Sequence, residues 1–178
     1  MILLLITTIG SIIYSQYKKD LATAKERISS TTHRHQIIKT EKCGTIEYGI
    51  DGPNDAVQTI FIIHGSGGGF DQGLLIGKSF VEKGFRIIAP SRFDYLSSAP
   101  PMNSATVSDQ ADAYKCLLDE LHVVKVDAVF GVSAGTPSAL KFAYKHPNYT
   151  SSLILSVPGL HVSHPKTKKK HCFNYHLA

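Results

Sequence analysis

Val126-Asp-Ala-Val-Phe-Gly-Val-Ser-Ala-Gly-Thr-Pro-Ser-Ala-Leu140 is the stretch on which the fold turns. Its first seven residues read as a hydrophobic strand. A helix is expected over 135–145. Between them stands Gly131-Val-Ser-Ala-Gly135, a G-x-S-x-G pattern. A strand passing into a helix through so short a turn brings backbone close to backbone. Glycines therefore flank Ser133, and its hydroxyl projects above the sheet end with the first helical turn beneath it. An ordinary Gly-rich strand-to-helix turn is the bland alternative.

Working outward, the neighbouring segments repeat the alternation. Ile37-Ile38 and Thr45–Ile50 flank Cys43-Gly44 as a hairpin, closed by Asp51-Gly52-Pro53. Thr59-Ile-Phe-Ile-Ile63 reads as a strand, 73–83 as a helix stopped by Gly84, and Phe85–Ala89 as a strand ended by Pro90. Over 107–121, Val107, Ala111, Tyr114, Leu118 and Leu121 form one apolar helical stripe, and Thr106 with Asp109 reads as a capping box. Ser152–Val157 is a last strand, ended by Pro158-Gly159. Repeated strand–helix alternation requires crossover helices and predicts an α/β fold with a mainly parallel sheet covered on both faces.

The second chemical element, His64-Gly-Ser-Gly-Gly-Gly69, follows the strand 59–63 directly. Glycines there allow backbone N–H groups to approach a substrate oxygen, and acyl transfer needs two such donors for a tetrahedral oxyanion. Ala134, the residue after the nucleophile, supplies one, and Ser66 or Gly67 the other. A nucleotide-binding loop fails on spacing. The dinucleotide pattern from Gly65 and Gly67 requires glycine at 70, where Phe70 stands, and the P-loop pattern ending Gly77-Lys78-Ser79 requires it at 72, where Gln72 stands.

Taken with Ala89-Pro-Ser-Arg-Phe-Asp-Tyr-Leu-Ser97 and Lys145-His-Pro147, these elements resemble the α/β-hydrolases of the fold-1 type over about residues 40–160. The resemblance implies a sheet that begins with an antiparallel hairpin and continues in parallel, C-terminally incomplete. It also implies hydrolysis of an ester or related small-molecule acyl bond by Ser133, without cofactor or metal. Two departures stand out. Asp94 occupies a position where the family commonly has Gly; it either lines a pocket entrance or is a solvated loop acid. The family orders its triad as nucleophile, acid, base, yet no Asp or Glu follows Asp127. Acid and base are therefore unassigned. His64 is read as the family's structural histidine, His146 as a cap of the elbow helix, and His161, His164, His171 and His176 receive no catalytic role. An unassisted serine is a poor nucleophile, so the rival expectation is a non-catalytic α/β-hydrolase-like binding or partner-docking protein.

The ends modify the composition. The chain has 178 residues, 43% hydrophobic and 19% charged, which excludes disordered, collagen-like and disulfide-scaffold classes. Of the formal +5, four charges come from lysines in 161–178, a segment without acids. The body is nearly neutral, which excludes a nucleic-acid groove. That basic, His-rich tail reads as lying outside the fold, a frameshifted or foreign end. Residues 1–17 carry no charge and reach roughly 25 Å as a helix, short of a membrane core of about 30 Å, before Lys18-Lys19. An uncleaved membrane anchor within residues 1–20, a signal peptide cut near Ala22-Thr23-Ala24, and an amphipathic first helix remain open; the chain is expected to be membrane-associated, otherwise cytoplasmic. Cys43, Cys116 and Cys172 are expected as buried free thiols.

Overall fold

The computed structural model describes residues 2–32, 35–101 and 105–159. The chain divides into two units between Arg34 and His35. In the first, helix α1 (Ile2–Thr32) runs past Lys18-Lys19 rather than stopping there. The lysine pair ends the apolar run but not the helix, because Lys is a good helix former and Gln16 bonds Asp20 one turn on (2.9 Å). No helix among the described residues is long and apolar enough to cross a membrane.

The second unit is an α/β layer structure. Its described strands are β1 (His35–Thr40), β2 (Gly44–Asp51), β3 (Thr59–Ile63), β4 (Arg86–Pro90), β5 (Val126–Val132) and β6 (Thr150–Ser156). They lie in the order β1-β2-β4-β3-β5-β6. β1 and β2 form the expected antiparallel hairpin, β2 also runs antiparallel to β4, and the β4/β3, β3/β5 and β5/β6 pairs are parallel. Helices α2 (Phe70–Val81), α3 (Val107–Glu120) and α4 (Thr136–Lys145) make the crossovers.

Strand β3 shows why its unbroken apolar run was needed. Ile60 and Ile62 pack with Phe70, Leu74 and Ile87 in one core, while Phe61 and Ile63 pack with Tyr114, Leu117, Val129 and Phe142 in the other. Alternate side chains thus serve opposite faces of the sheet. The capping box is present, with the Thr106 hydroxyl accepting from the Asp109 N–H and the Asp109 carboxylate accepting from the Thr106 N–H. Helix α2 begins three residues earlier than periodicity suggests. The Ser91 hydroxyl accepts the Phe70 N–H (2.9 Å) and the Asp71 carboxylate accepts the Gly69 N–H (2.8 Å), a capping arrangement partly supplied across the sheet.

One expectation is overturned. Cys43 and Cys116 are not free thiols but a disulfide, joining the β1–β2 turn to α3 with Cα atoms 6.4 Å apart. Their separation of 73 residues carries no pairing signal in sequence; packing of α3 against the hairpin brings them together. Cys172 and the whole 161–178 tail, with its four histidines, lie outside the described residues. β6 ends the sheet: among the described residues it pairs with β5 alone, and Ile154 is 42% exposed.

Candidate functional site

Three adjacent parallel strands deliver the site. Ile63 of β3 stands in register with Gly131 of β5, so the loop from His64 and the turn from Ser133 leave the sheet side by side. β4, on the other side of β3, feeds the 91–98 loop to the same carboxyl edge. Open α/β sheets bind ligands at that edge.

The elbow is as sharp as the sequence requires. Ser133 has φ +47°, the left-handed region that costs a non-glycine residue about 1–3 kcal/mol. A 3-10 turn over Ser133–Gly135 follows and α4 starts at Thr136, with Pro137 in its first turn. A Cβ at Gly131 would stand 2.6 Å from the Ala139 Cβ, and one at Gly135 would run into the His64 carbonyl and lie 2.7 Å from that of Ile63. The two glycines are required by close approach: Gly131 lets α4 settle on the strand, and Gly135 lets it settle beside β3. Deeper in, the Ser138 hydroxyl donates to the Gly135 carbonyl (3.0 Å) and lies 3.2 Å from the Tyr114 hydroxyl, whose ionisation burial pushes well above the usual range.

Ser133 and the glycine loop are brought together. A Cβ at Gly65 would be 3.2 Å from that of Ser133. The Gly65 N–H donates to Gln72 Oε1 (2.8 Å), so it is already used. Ser66 and Gly67 are exposed, while Ser133 and Ala134 are half-buried. Ala134 is the second residue of the helical turn, and such N–H groups have no intrahelical partner. Of the six residues named from sequence, Ser66 and Gly67 lie on the loop leaving β3, Ser133, Ala134 and Gly135 on the turn leaving β5, and Gly131 near the end of β5 itself.

His64 and His146 are placed for structure. His64 is fully buried. The Arg92 N–H donates to its Nε2 (2.9 Å), so the ring proton is on Nδ1 and donates to the Gly65 carbonyl (2.7 Å). Burial, which outweighs the raising effect of the Gly65 hydrogen bond, lowers its pKa to about 4. With both nitrogens engaged and the ring neutral, His64 does not take a proton from Ser133. His146 caps α4, its N–H donating to the Phe142 carbonyl (2.8 Å) and its Nε2 lying 2.9 Å from Asp112 Oδ1. A ten-residue helix, about 15 Å, separates it from the elbow.

Asp94 is exposed and has φ +64°, which accounts physically for the glycine common at that place. It is a loop acid whose backbone N–H donates to the Ser98 carbonyl (3.1 Å). Sequence reasoning missed two residues that shape the loop, Gln72 and Arg92. Gln72 carries no motif. Arg92 lies inside the Ala89–Ser97 segment, where only the tertiary fold shows what its guanidinium reaches.

A profile of the alpha/beta hydrolase fold matches residues 58–173. The chain is 34% identical over 112 residues to a 2-hydroxy-6-oxo-6-phenylhexa-2,4-dienoate hydrolase of Burkholderia cepacia, a match covering 60% of this chain and 39% of that protein. An alpha/beta hydrolase fold protein from Nakamurella multipartita is 30% identical, with a TM-score of 0.64 over 76% of this chain and 45% of the other. An esterase from Exiguobacterium antarcticum shares the fold at 23% identity, with a TM-score of 0.56 over 64% of this chain and 41% of its own. The chain spans about a quarter to two fifths of the length of the curated relatives it matches. Sheet order, elbow and profile agree: this chain belongs to the alpha/beta hydrolase fold family.

Proposed function

We propose that this chain carries the nucleophile and oxyanion half of an esterase-like centre acting on a small-molecule ester or related acyl bond. Ser133 Oγ attacks the acyl carbon. The Oγ–C bond forms as the carbonyl oxygen takes the negative charge, held by the N–H of Ala134 and that of Ser66 or Gly67. The carbonyl re-forms as the alcohol leaves carrying the proton lost by Ser133, and water then releases the acid from the acyl-serine. The observation that carries this reading is the left-handed Ser133 backbone at a strand end, facing the 65–67 loop. Strain of that kind persists where the surroundings enforce it, and it places Oγ clear of the sheet. The esterase and hydrolase names among its structural and sequence neighbours support the same class.

A second reading is favoured by His64. The histidine beside the glycine loop is locked and neutral, so a site that binds a carbonyl ligand or docks a partner without turnover fits the same geometry. Labelling with a fluorophosphonate, beside a Ser133→Ala control, tests the first reading. Labelling that disappears in the control is expected. Folded protein that shows no Ser133-dependent labelling would overturn the nucleophile and leave the binding protein. Labelling without p-nitrophenyl ester turnover identifies a nucleophile that acylates and stops.

A further inference from the structure

We propose that Arg92 is a positioning residue for the oxyanion hole, bridging the Gly65 and Ala134 carbonyls so that the two donor segments form one rigid frame. The inference rests on the reading of Ser133 as nucleophile. Arg92 lies two residues beyond β4, on the third of the segments that meet at the carboxyl edge. Its own N–H is fixed on His64 Nε2. Its guanidinium then reaches both of the other segments: Nη1 donates to the Ala134 carbonyl (2.7 Å) and Nη2 to the Gly65 carbonyl (3.4 Å). The guanidinium packs over the Tyr95 ring, 4.6 Å from its centroid, and that ring meets His64 edge-on at 4.8 Å.

Peptide geometry turns these contacts into a statement about the donors. In a trans peptide the carbonyl and the following N–H point in opposite directions. The Gly65 carbonyl belongs to the same peptide as the Ser66 N–H. With Arg92 and His64 Nδ1 both on that carbonyl, the Ser66 N–H is aimed away from them. A cation on the carbonyl also polarises the amide and strengthens its N–H as a donor. Ala134 is held from both sides. Arg92 takes its carbonyl, and the Ser133 carbonyl, which shares a peptide with the Ala134 N–H, accepts the Gly159 N–H (3.1 Å).

The chemistry of the side chain fits this task better than a purely structural one. Among the described residues no carboxylate pairs with Arg92, and its Nε is buried without a partner. An unpartnered buried donor is a cost to folding, and a cation left unneutralised beside the loop favours developing negative charge. A planar fork can hold two carbonyls on separate segments at once, which a lysine ammonium does not reproduce.

The test compares p-nitrophenyl acetate with p-nitrophenyl thionoacetate in single-turnover acylation of the full chain. The two differ only at the atom that sits in the hole. Arg92→Lys is expected to slow Ser133-dependent acylation by the oxygen ester about tenfold or more, since misaligned donors forfeit part of the 100- to 1,000-fold that one donor supplies. The sulfur ester should lose less, so the oxygen-over-sulfur ratio falls. Equal loss on both substrates, leaving the ratio unchanged, would overturn the inference and make Arg92 a structural tie. Tyr95→Leu, which frees the guanidinium without removing it, should lower the ratio in the same direction by a few-fold; should Arg92→Lys fail to fold, an unchanged ratio in Tyr95→Leu overturns the inference by itself. A wild-type chain without Ser133-dependent acylation is a different result, because it removes the nucleophile itself.

Discussion

The loop after β3 and the strand β6 stand on opposite sides of β5, and they are built in contrasting ways. At the start of the 64–69 loop the polar groups of His64 and Gly65 are tied down. His64 is bonded at both nitrogens, the Gly65 carbonyl takes two donors, the Gly65 N–H is held by Gln72, and Arg92 ties the assembly to the elbow. β6 shows the reverse: one partner strand among the described residues, apolar side chains partly in solvent, and no acid from Ala128 onward. The contrast separates two halves of acyl-transfer chemistry. Charge stabilisation needs fixed dipoles, which the proposed function assigns to the hydrogen-bonded N-terminal side. Proton transfer needs a titrating group close to Ser133, and His64 is excluded by its own hydrogen bonds.

The tied side should prove the more sensitive to perturbation. The largest effect is expected from Cys116→Ser. Cross-linking residues 73 apart restricts the unfolded chain by about 4 kcal/mol in the chain-entropy account, so denaturant unfolding should shift by that order. Thiol titration of the unreduced, denatured protein should count one free thiol. Three would mean that the hairpin and α3 are held by packing alone.

His64 gives the next effect. Its folded pKa, about 4, lies below the ordinary 6.5, so below that value the unfolded chain binds the proton more readily than the folded one. The stabilisation is present in full above pH 6.5 and drains away as pH falls towards 4, in total about 3 kcal/mol. Unfolding midpoints across pH 7.5 to 4.5 measure it. His64→Asn, which keeps a donor and an acceptor but does not titrate, should flatten the profile. An equal slope in both proteins would place the acid sensitivity elsewhere.

Two smaller effects sharpen the contrast. Asp94→Gly relieves a left-handed backbone that Asp tolerates better than most residues, so a gain of about 0.5 kcal/mol in thermal unfolding is expected. A loss would mean that the carboxylate has a role in the loop. On the open side, Ile154→Lys should change stability by no more than about 0.5 kcal/mol while increasing the monomer fraction on size exclusion at high concentration. An unchanged monomer fraction would show that the β6 edge is not the adhesive surface.

How much of this was legible beforehand follows the range of the interactions. The strand runs, the capping box at Thr106 and the glycine-flanked Ser133 are local patterns, fixed within a few residues by backbone sterics and side-chain periodicity. Helix α2 starts three residues before its periodicity suggests because the Gly69 and Phe70 N–H groups are held by Asp71 and, from the loop beyond β4, by Ser91. The Cys43–Cys116 pairing and the reach of Arg92 depend on segments 73 and 42 residues apart, and no local rule encodes either.

Sequence by itself therefore determined an α/β chain with a serine at a strand-to-helix turn, because hydrophobic alternation and the volume of a Cβ act at short range. Tertiary structure decided which strand ends share an edge, that both ring nitrogens of His64 are engaged, and that Arg92 spans the Gly65 loop and the Ser133 turn. Those outcomes depend on strand register and on hydrogen bonds that exist only once the sheet has closed.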